Sequence, residues 1–301
     1  MKNFVMTYDD TLSIIPLITY DGNGETLHPS VLNLGFKWNG YQYWMGNTPM
    51  PKHDTNFENP SIWVSNNGID WIVPEGVNNP VVPKPVYGSN ADSELFFENN
   101  ILYIIYKETT HINCKCYRFL KLVKSNDGRT WTKTKTIVIP VKNEIENVSP
   151  SLIKIGSTYY IYYFTADSYT KEHIPVNPRI CRVSCNIVDE MYSNVEKINI
   201  PVDPGFIWWH LHIFRYNDSY YLSALRSKTH DPGDQICIFK SEDGLNFIKN
   251  DIPVLNGKSG NIKVDAYYRP CISIINDQPT LYCGFLSSNK FGLLKVNINL
   301  S

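Results

Sequence analysis

Five positions spread along the chain, His28, Asp92, Ser149, His210 and Arg269, each open an apolar run, and two residues after them stand Ser30, Glu94, Ser151, His212 and Cys271. In a β-strand residues two apart share one face. If the five runs are strands that meet around one axis, two carboxylates, three histidines and an arginine converge there. Groups of this kind are costly to bury unless paired or solvated, so the convergence marks either a ligand site or a polar plug that satisfies itself. Imidazoles and carboxylates together can also act as acids and bases.

Flat rings lie beside these positions. Trp208-Trp209 precede His210, Tyr267-Tyr268 precede Arg269, and Tyr43-Trp44-Met45 leads into Thr48-Pro-Met-Pro; Glu58-Asn59-Pro60 adds a carboxylate and an amide at the start of another strand. Such rings serve a sheet core as readily as a sugar-stacking surface. The expectation is a shallow glycan pocket lined by His28, Trp44, Glu58, Asn59, Asp92, Glu94, Trp209, His210, His212, Tyr268 and Arg269. Within it Asp92 and Glu94 accept hydrogen bonds from sugar hydroxyls, His28 and His210 bridge as neutral groups, Trp44 or Trp209 stacks, and Arg269 holds an anionic substituent such as a phosphate.

The elements that must position these groups repeat at intervals of roughly 60 residues, the signature of one recurring supersecondary unit. Each unit runs from an apolar stretch through a polar turn into an aromatic-rich stretch; the turns include Trp38-Asn-Gly-Tyr, Gly156-Ser-Thr-Tyr and Tyr216-Asn-Asp-Ser-Tyr. In the third unit Pro150-Ser-Leu-Ile-Lys-Ile, Tyr159-Tyr-Ile-Tyr-Tyr-Phe, Arg179-Ile-Cys-Arg-Val-Ser-Cys and Val195-Glu-Lys-Ile-Asn-Ile read as four strands, rich in the aromatic and β-branched residues that suit a pleated surface. The helical period of 3.6 is almost absent. The predicted fold is all-β: a five-bladed propeller of four-stranded antiparallel blades, one domain over residues 1–301, with blades starting near residues 28, 92, 149, 210 and 269. The fifth unit has three clear strands, and an open edge is a liability, so a strand within 4–8 or 13–19 is expected to pair with it and close the ring.

Three turns share one pattern, Ser65-Asn-Asn-Gly-Ile-Asp-Trp71, Ser125-Asn-Asp-Gly-Arg-Thr-Trp131 and Ser241-Glu-Asp-Gly-Leu-Asn-Phe247. Their Asn-Gly and Asp-Gly steps supply the positive backbone angles of a tight turn. They resemble the Asp-box of sialidase-type propellers but are one residue shorter, and their role is structural.

Composition narrows the function classes. With 28 basic and 29 acidic residues the net charge is −1, which argues against a nucleic-acid binder. The acidic start Met1-Lys-Asn-Phe-Val-Met-Thr-Tyr-Asp-Asp is unlike a signal peptide, and no run approaches the length of an apolar membrane span, so synthesis in the cytoplasm without a membrane partner is expected. Seven cysteines, most of them alternating within strand-like runs, read as small core residues; Cys114-Lys-Cys116 lacks a second ligand pair for a metal.

The five-blade ring with polar strand starts resembles the furanosidase superfamily of glycoside hydrolase families 43 and 32. The run His28-Pro, Trp38-Asn-Gly-Tyr-Gln-Tyr-Trp-Met, Thr48-Pro-Met-Pro, Phe57-Glu-Asn-Pro-Ser-Ile and Ser65 to Trp71 is similar to the propeller module of phage tail receptor-binding proteins. That resemblance implies a platform recognising a cell-surface glycan, with other tail proteins as partners and a place on a virion tail. The enzyme alternative is a family 43-like glycosidase, whose three acids come from blades one, two and three. Here the first-blade base position holds His28, Asp92 matches the second, and the third holds Val148, with Glu144 and Glu146 upstream. An enzyme would therefore need a rearranged set drawn from Asp92, Glu94, His28 and Glu146. Some relatives hold a calcium ion on the axis near a histidine; that role would fall to His210 or His212 through water, although calcium prefers oxygen ligands. No other cofactor is expected.

Overall fold

The computed structural model describes residues 6–8, 11–112, 115–140, 147–229, 232–250, 252–257 and 261–300. Five antiparallel sheets stand around one axis. Blade one comprises Thr26–Trp38, Tyr41–Pro49 and Ser61–Ser65, with a single bridge from Val64 to Ile72 standing where a fourth strand would run. Blade two comprises Gly88–Glu98, Ile101–Ile112, Lys115–Ser125 and Lys135–Val138; blade three comprises Val148–Ile155, Thr158–Thr165, Arg179–Cys185 and Ser193–Lys197. Blade four comprises Ile207–Tyr216, Ser219–Ser227 and Gln235–Ser241, edged by Ile248–Lys249 and Leu255–Asn256; blade five comprises Ala266–Ile275, Gln278–Ser287 and Lys290–Leu300.

The ring closes as the unfinished fifth unit demands. Met6–Tyr8 pairs with Leu300–Ile298, and Ser13–Ile15 pairs with Lys295–Leu293, so N-terminal strands cover the edge left by the last strand of the chain. Leu12, Ile15 and Leu17 are buried there.

The apolar core lies between neighbouring blades. Trp38, Trp44, Leu95 and Ile104 pack between blades one and two, Tyr103, Leu152, Ile161 and Tyr163 between two and three, and Trp208, Leu211, Leu222 and Tyr162 between three and four. The three short turns pin these layers. Ser65, Ser125 and Ser241 each accept the backbone N–H of the turn glycine through Oγ, at 2.9, 2.8 and 2.9 Å. Gly128, at φ +68°, lies against the Trp44 ring, where a Cβ would stand 2.1 Å from the indole. Only glycine meets both demands.

All five inner strands carry a β-bulge at the same height. Residues 28–29, 92–93, 149–150, 209–210 and 268–269 lie two against one on the neighbouring strand, between the paired positions Leu27/Ser30, Ala91/Glu94, Val148/Ser151, Trp208/Leu211 and Tyr267/Pro270. A bulge bends its strand and re-aims a side chain. In blades one to three it starts at His28, Asp92 and Ser149, all non-glycine residues at positive φ of 58°, 56° and 54°. In blades four and five it starts one residue earlier, at Trp209 and Tyr268.

Candidate functional site

The bulges separate two polar layers on the axis. The outer layer opens into a cavity of about 530 Å³ whose walls include His28, Asp92, Trp209, His210, Tyr268 and Glu58. Asp92 is fully buried beneath it. Its Oδ2 lies 3.0 Å from Lys107 Nζ and accepts the Ser149 N–H at 3.3 Å, whereas Oδ1 faces the histidines, 3.3 Å from His28 Nε2 and 3.6 Å from His210 Nδ1, and accepts no hydrogen bond. Burial alone would raise this carboxyl. Lys107, His28, His210 and Arg269 outweigh that and hold it ionised, well below the usual carboxylate range.

Each imidazole is oriented by a hydroxyl. Thr48 Oγ1 hydrogen-bonds His28 Nδ1 at 2.7 Å, turning Nε2 toward Asp92, and Ser149 Oγ forms a short hydrogen bond with His210 Nδ1. Glu58 Oε1 stands 3.8 Å from His28 Nδ1, and the two imidazole rings are 5.1 Å apart. One donor atom from each of His28, Asp92 and His210 falls within 4.8 Å of the others. Two imidazoles and a carboxylate form a mixed nitrogen and oxygen donor set. That set suits a divalent transition metal such as zinc, manganese or iron better than the calcium expected near His210. The unsatisfied, ionised Asp92 Oδ1 aimed into the cluster is the feature of this structure that such an ion fits.

The residues of the inner layer do not line this cavity, and their polar atoms bind the blades to one another. Ser30 Oγ accepts the Leu95 N–H, Glu94 Oε1 the Leu152 N–H, Ser151 Oγ the Ile213 N–H, His212 Nδ1 the Ile272 N–H, and Cys271 Sγ the Val31 N–H. Each blade thus binds the next, and the fifth binds the first. Arg269 crosses the axis to Glu94 Oε2 at 2.9 Å.

The expected site residues divide accordingly. His28, Glu58, Asp92, Trp209, His210 and Tyr268 meet at the cavity. Glu94 and His212 lie in the closure ring instead, because position +2 after the strand start lies beyond the bulge and points to the next blade. Arg269 is 0 % exposed and turns away from the cavity: its guanidinium is bonded across the axis to Ser93 O, Pro150 O and Glu94 Oε2, and Tyr268 stands at the cavity in its place. Trp44 is packed against Trp38 in the core, 4.9 Å between rings, and Asn59 is buried, bonded to Val82 O and Asn90. Glu144, Glu146 and Cys114 lie outside the described residues. Val148 is a buried core residue, so the third-blade acid position is apolar.

Lys107 was not legible as a site residue. Its one signal is a charge ending the apolar run Ile101-Leu-Tyr-Ile-Ile-Tyr106 on the middle strand of blade two. Tyr169 and His173, on a two-stranded side hairpin of Ser168–Tyr169 and Pro175–Val176, also reach the cavity wall and carried no sequence signal.

No protein-family model matches the chain. Over 75 residues it is 44 % identical to the A type blood N-acetyl-alpha-D-galactosamine deacetylase of Flavonifractor plautii, a match spanning 24 % of this chain and 10 % of that protein. Among solved structures, an N-acetylgalactosamine deacetylase from F. plautii in complex with blood group B trisaccharide superposes with a TM-score of 0.77 at 16 % identity, covering 99 % of this chain and 95 % of the other. A thermostable family-43 glycoside hydrolase gives 0.65 at 15 % identity over 92 % and 89 %, and Zg3597, a family 117 glycoside hydrolase of Zobellia galactanivorans, gives 0.63 at 16 % over 99 % and 91 %. At these identities the superpositions show a shared fold: the chain has the five-bladed propeller architecture of these structures. The likeness is to carbohydrate-acting enzymes, and it overturns the reading as a phage tail receptor-binding component. Among the described residues no helix is long and apolar enough to cross a membrane.

Proposed function

We propose that the chain is a hydrolase of glycans that removes an acyl group, an N-acetyl above all, from a sugar seated in the axial cavity. The observation that carries this reading is the His28, Asp92 and His210 cluster beneath the cavity, with Asp92 Oδ1 ionised and unsatisfied. A divalent ion held by these three residues would supply Lewis acidity toward an acyl carbonyl. The chain's own groups do the rest. Lys107 keeps Asp92 ionised, and Thr48 and Ser149 fix the two imidazoles. Glu58, on the cavity wall beside His28, is the carboxylate placed to take a proton from an attacking water and return it to the departing amine. Trp209 and Tyr268 offer ring faces to the sugar and exclude water. Likeness to the F. plautii deacetylase supports the amide bond as the target.

The second reading is cleavage of a glycosidic bond by Glu58 and Asp92. It is favoured by the family 43-like fold and weakened by Val148 at the third acid position. Incubating the protein with N-acetylhexosamine oligosaccharides, with chelator and then with added Mn²⁺ or Zn²⁺, separates the two. Metal-dependent release of acetate with the oligosaccharide otherwise intact is expected. Chelator-resistant release of shorter sugars would move the assignment to the glycosidase.

A further inference from the structure

Arg269 belongs to blade five, yet its guanidinium ends between the inner strands of blades two and three. Nη1 donates to Ser93 O at 2.7 Å, while Nη2 donates to Pro150 O at 2.6 Å and to Glu94 Oε2 at 2.9 Å. Ser93 and Pro150 are the second residues of the bulges that carry Asp92 and Ser149. Asp92 and Ser149 both hold a positive φ, a conformation that persists in non-glycine residues only where the surroundings over-determine it.

A counter-ion for Glu94 needs only a cation. Bonding two carbonyls from different blades and a carboxylate at once needs the planar fork of a guanidinium. We propose that Arg269 is a positioning residue, a cross-axis clamp that holds the bulges of blades two and three in the shape that aims Asp92, and through Ser149 the His210 imidazole, at the cavity. Its consequence for metal binding rests on the reading of the outer cluster given above; the clamp itself rests on the three hydrogen bonds.

Two variants of the full chain test it. Arg269→Lys keeps the charge and loses the fork, and Arg269→Met with Glu94→Gln removes both charges together, so that a folding failure of the first leaves the second to decide. Hydrogen–deuterium exchange of the metal-free proteins is expected to quicken in peptides covering 91–95 and 148–152, and to stay at the wild-type rate in the blade-one peptide covering 27–32. Exchange that is unchanged, or equally faster in all inner strands, overturns the clamp. Titration with Mn²⁺ is expected to show affinity lowered by about 10–100-fold, the usual effect of losing a partner that orients a ligand. Wild-type affinity in a variant whose two bulges exchange faster would sever the clamp from the cluster. Should the wild-type protein bind Mn²⁺ no better than His28→Ala, the metal reading fails, and the exchange measurement still decides the clamp.

Discussion

Asp92 and Glu94 lie two residues apart on one strand, both buried, and their environments push them in opposite directions. At the start of the bulge, Asp92 is surrounded by Lys107, His28, His210 and Arg269 and is held ionised. Below it, burial dominates Glu94 and raises its pKa, although Arg269 and the hydroxyls of Ser151 and Ser30 act to lower it. One layer keeps an unsatisfied oxygen facing a cavity, and the other commits its acceptors to N–H groups of the next blade. A polar residue on a propeller axis is therefore not by itself a ligand contact: what its acceptor faces decides.

The sharpest way to break this contrast is to remove each carboxylate in turn. Asp92→Asn should abolish divalent-metal binding and lower turnover by about 10²–10⁴-fold, the range for losing a group that acts at the reaction centre, as read by acetate release and metal titration. Glu94→Ala should instead act on the fold, costing about 3–5 kcal/mol by stranding the buried Arg269 charge. Chemical denaturation checks this, and adding Arg269→Met should restore much of the loss.

Ser151→Ala probes the closure ring without removing a charge, although it also deletes the hydroxyl that donates to Glu94 Oε1 at 2.9 Å. It leaves the Ile213 N–H without its acceptor, and a stability loss of about 1–3 kcal/mol is expected with turnover per folded molecule unchanged. A kinetic defect larger than the stability defect would put Ser151 in the outer layer.

His212 gives the comparison a pH axis. Its pKa is pushed down to about 3 by burial and by Arg269. The native ring stays neutral while the unfolded chain takes up a proton near pH 6.5. The unfolded state then binds more protons, so stability is fully present above about 6.5 and is lost progressively as pH falls toward 3. Melting temperature should therefore fall as the pH is lowered across that window, and His212→Asn should flatten the dependence.

The smallest effect on stability is expected at Ser149. Replacement by glycine relieves the positive φ, a benefit on the order of 1 kcal/mol offset by the entropy glycine loses on folding. It also deletes the hydroxyl that orients His210, so activity should fall while the melting temperature barely moves.

Much of the architecture could be read directly from the chain. The repeating units, the turn motifs with their glycines, and the need for an N-terminal strand to finish blade five are local or periodic properties, and local properties survive translation into structure. Of the polar strand starts, His28, Asp92 and His210 do come together on one axis. The division of that axis into a cavity layer and a closure ring was hidden, because it depends on which partners from other blades each side chain meets once the ring is assembled. Blades four and five share one bulge position, yet Trp209 and His210 both reach the cavity while only Tyr268 does so in blade five, where Arg269 crosses the axis.

What the sequence determined on its own was therefore the fold and the types of group brought to its centre. The tertiary structure alone decided which carboxylate faces open space, that Lys107 from a neighbouring strand keeps it charged, and that Arg269 turns inward. The physical reason is that burial and charge pairing are set by neighbours far apart in the chain, and no spacing rule records them.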